Sequence, residues 1–98
     1  MKALEAKEVE QKLSNGESLN IIDVREDEEV ATGMIPGAKH IPLGSIDARM
    51  NELDSSKPYI MVCRSGGRSG QATQFLEQQG FDVTNMNGGM MNWEGPTK

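Results

Sequence analysis

Three short strand-like runs constrain this chain most: LNIIDV at residues 19–24, YIMV at 59–62 and FDVTNM at 81–86. The first is rich in β-branched residues and unbroken by polar alternation, as in a strand covered on both faces. The second reads as another buried strand and the third as one more. The segments between them carry helical spacing. Residues 5–14 place Val9 and Leu13 four apart on one side, and Asn15-Gly16 ends that helix. Residues 26–32 read as a short helix whose early acidic residues suit its N-terminus, with Gly33 as the stop. Pro36-Gly37 marks a turn, and residues 38–41 read as a short strand before Pro42. A helix over 45–53 puts Ile46, Met50 and Leu53 on a shared face, and Lys57-Pro58 breaks the chain. A further helix over 69–79 carries Ala72, Phe75 and Leu76 and closes at Gly80. Gly88-Gly89 opens a last helical segment running to Trp93. Strands alternating with helices predict an α/β fold, a parallel or mostly parallel sheet with helices on both faces. Ligands of such sheets bind outside the carboxyl ends of the strands.

At 98 residues the chain suits one small domain over 1–98. No apolar run approaches the roughly 20 residues that span a bilayer, and the charged N-terminus MKALEAKEVEQKL lacks a signal-peptide core. A single cysteine forms no internal disulfide, and together with one histidine it gives no basis for a zinc site, so a cytoplasmic protein without a metal is expected. The net charge of −5 argues against nucleic acid, which requires a basic face. The acidic excess is uneven: residues 26–29 read EDEE, while Arg64 and Arg68 bracket a Ser-Gly-Gly. A local positive site on an acidic protein predicts a small anion as ligand. Nothing in the sequence requires more than a monomer.

That positive site is the stretch CRSGGRS, residues 63–69, at the end of the YIMV strand. Gly66 and Gly67 allow backbone angles that other residues resist, so the loop can turn successive N–H groups inward as an anion nest. The following helix adds unpaired N–H groups and partial positive charge at its N-terminus. Both stabilise a thiolate at Cys63, and inward-folded guanidinium groups of Arg64 and Arg68 would add to that. The expected product is a nucleophile ionised at neutral pH. Attack on a sulfane sulfur would give a persulfide whose outer sulfur accepts the same N–H groups.

Loop length separates this reading from its nearest rival. Cysteine-dependent phosphatases need Cys-x5-Arg to surround a tetrahedral phosphate. Here Arg68 falls at Cys-x4-Arg, Ser69 occupies the position a phosphatase arginine requires, and Val62 precedes the cysteine. The cradle is one residue short for phosphate and suits a single sulfur.

The chain resembles the rhodanese family of sulfurtransferases in its single-domain form. Asp23-Val24-Arg25, Glu29, GMIPGA at 33–38 and Ile41-Pro42 resemble the family's N-terminal signature; Cys63 to Arg68 resembles its six-residue active-site loop; Gly88-Gly89-Met90 and Trp93 resemble its C-terminal signature. The resemblance implies a five-stranded, mainly parallel sheet in a three-layer fold, a persulfide on Cys63, and no metal or organic cofactor. It also implies that Arg64, Ser65, Gly66, Gly67 and Arg68 line the anion site, largely through backbone N–H groups. Met34 stands where the family usually has histidine, which predicts altered local packing or polarity rather than lost activity.

Around this site, Arg68 is expected to face the anion, and Arg64 either faces it or points to solvent. Ser65 and Ser69 are candidate helix caps that also line the site. Asp23 and Arg25 are structural support, an ion pair or cap fixing their loop. The EDEE run is a solvated helix face, with a docking surface for a basic partner as the lesser reading. His40, Met61, Met86, Met90, Met91 and Trp93 are assigned to structure, with Met90-Met91 as an apolar wall in the alternative. The expected function is transfer of a sulfane sulfur from a small anionic donor such as thiosulfate to cyanide or a thiol. The alternative is a sulfur-carrier or redox-sensing module dependent on a protein persulfide donor or thiol acceptor.

Overall fold

The computed structural model describes all of residues 1–98. Five strands form one sheet: β1 (Lys2–Glu5), β2 (Ile21–Asp23), β3 (Lys39–His40), β4 (Pro58–Val62) and β5 (Asp82–Asn87). Their order across the sheet is β1-β5-β4-β2-β3, and every pairing is parallel. The helices are α1 (Ala6–Ser14), α2 (Asp27–Val30), α3 (Ile46–Arg49) and α4 (Gly67–Gln78). None is long and apolar enough to cross a membrane.

Strand alternation sorts the core into two layers. Ile22, Tyr59, Met61 and Cys63 point to one face, where Ile46 of α3 and Ala72 and Leu76 of α4 cover them. Ile21, Ile60 and Val62 point to the other, against Ala6 and Val9 of α1 and with Trp93 packed alongside. Cys63 thus continues the alternation of β4 and delivers its sulfur to the α4 side.

Besides the trimming of the expected 26–32 helix to Asp27–Val30 and of the 38–41 strand to Lys39–His40, four elements differ from the sequence reading. The helix expected from residue 5 begins at Ala6, after an N-terminal strand that pairs with β5. KALE carries no strand signal because β1 is an edge strand: only Leu4 is partly buried, and Lys2 is held outside by an ion pair with Asp82. The expected 45–53 helix is one α-helical turn, Ile46–Arg49, between the 3-10 turns Leu43–Ser45 and Met50–Glu52. The run at 19–24 makes ladder only over Ile21–Asp23. Helix α4 begins at Gly67, two residues before the expected start, because Gly66 takes the left-handed conformation and turns the chain early. Met34, half-buried, exchanges backbone hydrogen bonds with Lys98 at 3.2 and 2.9 Å, so a side-chain change there leaves the backbone pairing in place.

Candidate active site

The site lies at the carboxyl end of β4, between β5 and β2. Cys63 is 1% exposed, at the floor of the loop. The chain then turns at Gly66, whose φ of 107° is costly for any residue with a Cβ. That turn aims the Gly66 N–H at Cys63 Sγ, 3.0 Å away, and the Ser69 hydroxyl donates to the same sulfur at 3.3 Å. Burial pushes the Cys63 thiol up, but the Ser69 hydroxyl and the N–H groups of Ser69, Gly66 and Ser65 outweigh it and hold the pKa below the ordinary thiol value. Hydrogen bonds to the charged form, more than net charge, lower this pKa.

A second segment fixes the loop from behind. After β5 the chain enters a 3-10 turn, Gly89–Asn92. The N–H groups of Met90 and Met91 donate to the carbonyls of Cys63 and Arg64, both at 2.9 Å. The C-terminal Gly-Gly-Met is therefore a clamp on the cysteine's own peptide units. On β5, Asn85 donates from Nδ2 to the Gly66 carbonyl at 3.2 Å, securing the residue whose turn presents the N–H. Sequence reasoning missed Asn85; its signal was a buried polar side chain inside the FDVTNM run.

The loop after β2 closes the third side. Asp23 accepts from the Arg25 guanidinium, with a closest approach of 2.9 Å, and both side chains are buried. Arg25 also donates to the carbonyls of Gly33 at 2.8 Å and Glu29 at 3.4 Å. The pair staples the 25–33 segment against the sheet, and His40 Nε2 meets the Arg25 carbonyl at 2.7 Å.

The arginines of the loop part company. Arg64 is exposed and flanks a cleft of about 480 Å³ beside the loop, shared with Arg25, Glu28, Glu29, Met90 and Met91. Arg68, expected to face the anion, lays its guanidinium on Glu29 of α2 with two hydrogen bonds of 2.6 and 2.8 Å. The Arg68 hydrogen bonds pull the Glu29 carboxyl down to about 2. Glu29 is accordingly not a freely solvated member of the EDEE face; the same carboxylate also accepts the Glu26 N–H at 3.1 Å. Ser65 and Ser69 do not cap α4. Its cap residue is Gly66, which has no side chain to offer, and the Ser69 hydroxyl is spent on the sulfur. Gly67 opens the helix. Of the predicted residues, then, Cys63, Ser65, Gly66 and Ser69 converge on the sulfur, Arg64 borders the adjoining cleft, and Arg68 turns to α2.

A parallel α/β sheet holding a hydrogen-bonded cysteine in a tight loop, at the carboxyl end of its central strand, puts the chain in the class of α/β domains that carry a cysteine where such sheets bind their ligands. Comparison with known proteins specifies which. The model of the rhodanese-like domain matches residues 5–96, and the chain belongs to that family. It is 49% identical, over all of its length and 95% of the other's, to a Bacillus subtilis (strain 168) protein named "Putative sulfurtransferase YtwF". It is 46% identical to "Putative sulfur carrier protein YrkF" of the same strain, over 90% of this chain and about half (48%) of that longer protein. Among solved structures, a rhodanese-like domain protein from Staphylococcus aureus superposes with a TM-score of 0.94 at 37% identity, covering 100% of this chain and 97% of that one. The family and these relatives place the chain among sulfur-transfer proteins, in the transferase class.

Proposed function

We propose that the protein moves a sulfane sulfur through a persulfide on Cys63, with thiosulfate as a competent donor and cyanide or a thiol as acceptor. The observation that carries this reading is the cradle around Cys63 Sγ, where the Gly66 N–H at 3.0 Å and the Ser69 hydroxyl at 3.3 Å favour the thiolate. The thiolate attacks the terminal sulfur of thiosulfate. A new S–S bond forms, the donor S–S bond breaks, and sulfite departs with its electron pair. The outer sulfur of the persulfide carries the negative charge and takes over loop N–H groups. Cyanide then attacks that sulfur, thiocyanate leaves, and the thiolate returns. The hydrogen bonds that lower the Cys63 pKa favour the ionised nucleophile, so the cycle assigns no step to an external base. Burial of Cys63 to 1% exposure favours a slender terminal sulfur over a bulky tetrahedral group.

The test is intact-protein mass spectrometry after incubation with thiosulfate. A gain of about 32 Da, one sulfur, on Cys63 that cyanide removes as thiocyanate supports the cycle. No gain from thiosulfate, with a gain from a protein persulfide, favours the second reading, a partner-dependent sulfur carrier. Two observations support that reading: the likeness to a protein named as a sulfur carrier, and Met91, 66% exposed on the rim of the cleft.

The cradle sets the pH dependence. Because the Cys63 thiol is held low, the reactive thiolate persists until pH falls through that lowered pKa. Ser69→Ala removes the hydroxyl donor, raises the pKa, and shifts the acidic limb of the kcat/KM profile to higher pH. The rate well above the limb changes less than the rate on it. Thiolate absorbance near the ultraviolet edge, followed against pH, should move in the same direction; a profile that stays in place would remove Ser69 from the cradle.

A further inference from the structure

The charges around the cleft do not add up to a receptor for a strongly charged anion. Four charged side chains border it: Arg25, Glu28, Glu29 and Arg64. Arg25 is consumed by buried Asp23, and Glu29 by Arg68. The two that remain without an ion pair are Arg64 and Glu28, both exposed and of opposite sign. Arg68, the other cation of the loop, is within Coulombic reach of Cys63 but is not among the residues bordering the cleft. Both ends of its pair are constrained: Glu29 is held by the Glu26 N–H at 3.1 Å, and Arg68 sits in the first turn of α4.

We propose that Glu29 is a specificity-determining residue that sets the charge of the preferred sulfur donor: by neutralising Arg68 it leaves Arg64 as the one free guanidinium at the site, and so favours donors with less negative charge than thiosulfate. This deepens the sulfur-transfer reading and rests on it. In water-exposed surroundings a paired guanidinium offers an incoming anion little net field, whereas a free one offers a full charge. The same loop with an unpaired Arg68 would present two cations to the donor. The cleft, at about 480 Å³, lies in the size range of small-molecule sites, so a donor larger than thiosulfate has room beside the loop.

Two donors differing by one charge test this directly. Thiosulfate is a dianion; methanethiosulfonate is the monoanion in which a methyl group replaces one charged oxygen. Each presents the same terminal sulfur, and each reaction forms the Cys63 S–S bond as the donor S–S bond breaks. Sulfite leaves from the first and methanesulfinate from the second, each with the bonding electron pair. The readout is the ratio of kcat/KM for thiosulfate to that for methanethiosulfonate. Glu29→Gln keeps an acceptor for Arg68 and drops the charge, and is expected to raise the ratio about tenfold. Arg64→Gln, at an exposed position, is expected to lower it about tenfold. A folded Glu29→Gln protein with an unchanged ratio overturns the proposal. If that variant fails to fold, Arg64→Gln decides: an unchanged ratio there means Arg68 reads the charge despite Glu29, and the proposal falls. If the wild-type protein takes sulfur from neither donor, the small-donor transfer reading itself fails. Calorimetry with sulfate and methanesulfonate then judges the charge assignment alone. A roughly tenfold gain in sulfate preference in Glu29→Gln, or an equal loss in Arg64→Gln, upholds it, and no change in either overturns it.

Discussion

Cys63→Ser is expected to abolish sulfur transfer, lowering kcat/KM by at least about 10⁴, while the protein stays folded. Serine fits the same space and offers an oxygen to the Gly66 N–H and the Ser69 hydroxyl that now serve the sulfur. The structural cost is therefore about 1 kcal/mol. The chemical cost has no remedy in the chain. A hydroxyl is scarcely ionised near neutral pH, and the cradle cannot make up so large a difference. The protein's one histidine, His40, has its Nε2 on the Arg25 carbonyl at 2.7 Å and is not among the groups acting on the sulfur. No second cysteine can take over the sulfur. A steady-state thiosulfate–cyanide assay with a parallel thermal melt checks both halves. Full transfer activity in the serine variant would end the persulfide mechanism.

Gly89→Ala is expected to damage stability and activity together. An added Cβ would lie 2.5 Å from the Arg64 carbonyl carbon and oxygen and 2.5 Å from the Cys63 carbonyl oxygen. These are backbone atoms of the Cys63 loop, and they cannot swing aside as a flexible side-chain tip would. The φ of 56° adds a smaller penalty, because the left-handed region is open to other residues at a cost. Relief requires the Gly89–Asn92 turn to move off the loop. That motion breaks the Met90 and Met91 hydrogen bonds to the Cys63 and Arg64 carbonyls. We expect a loss of about 3 kcal/mol or more, with transfer falling by about 10²-fold in whatever protein remains folded. Chemical denaturation and the assay at a temperature below the melt separate the two effects. Wild-type stability with wild-type turnover would show that the clamp is slack.

Much of the architecture is legible locally. The runs at 19–24, 59–62 and 81–86 each contain a strand of the sheet, and in the first two this follows from a strand buried on two faces being mainly apolar. β1 escapes that logic. It stands at the edge, its alternation is weak, and β5, its one partner in the sheet, lies some eighty residues along the chain. The 45–53 segment shows the opposite failure: apolar spacing suited to a helix, realised as a single α-turn between two 3-10 turns. Its spacing reports which face is covered, and not how tightly the backbone winds. Ser65 and Ser69 were natural cap candidates by residue type, yet the left-handed Gly66 takes the cap and frees Ser69 for the sulfur.

By itself the sequence determined the order of strands and helices from α1 onward, the cysteine at the end of a buried strand, and a loop too short for a phosphatase. Each of these depends on neighbours within a few residues, so propensity, periodicity and spacing suffice to state them. The tertiary structure decided which charges are free. β2 and β4 lie side by side, with Asp23 in register with Val62, and this brings the segment after one strand against the loop after the other. Glu29 then meets Arg68 across 39 residues of chain, while Arg64, four positions away from Arg68, is left open. The pairing of a charge depends on distance in space, which no local pattern along the chain encodes.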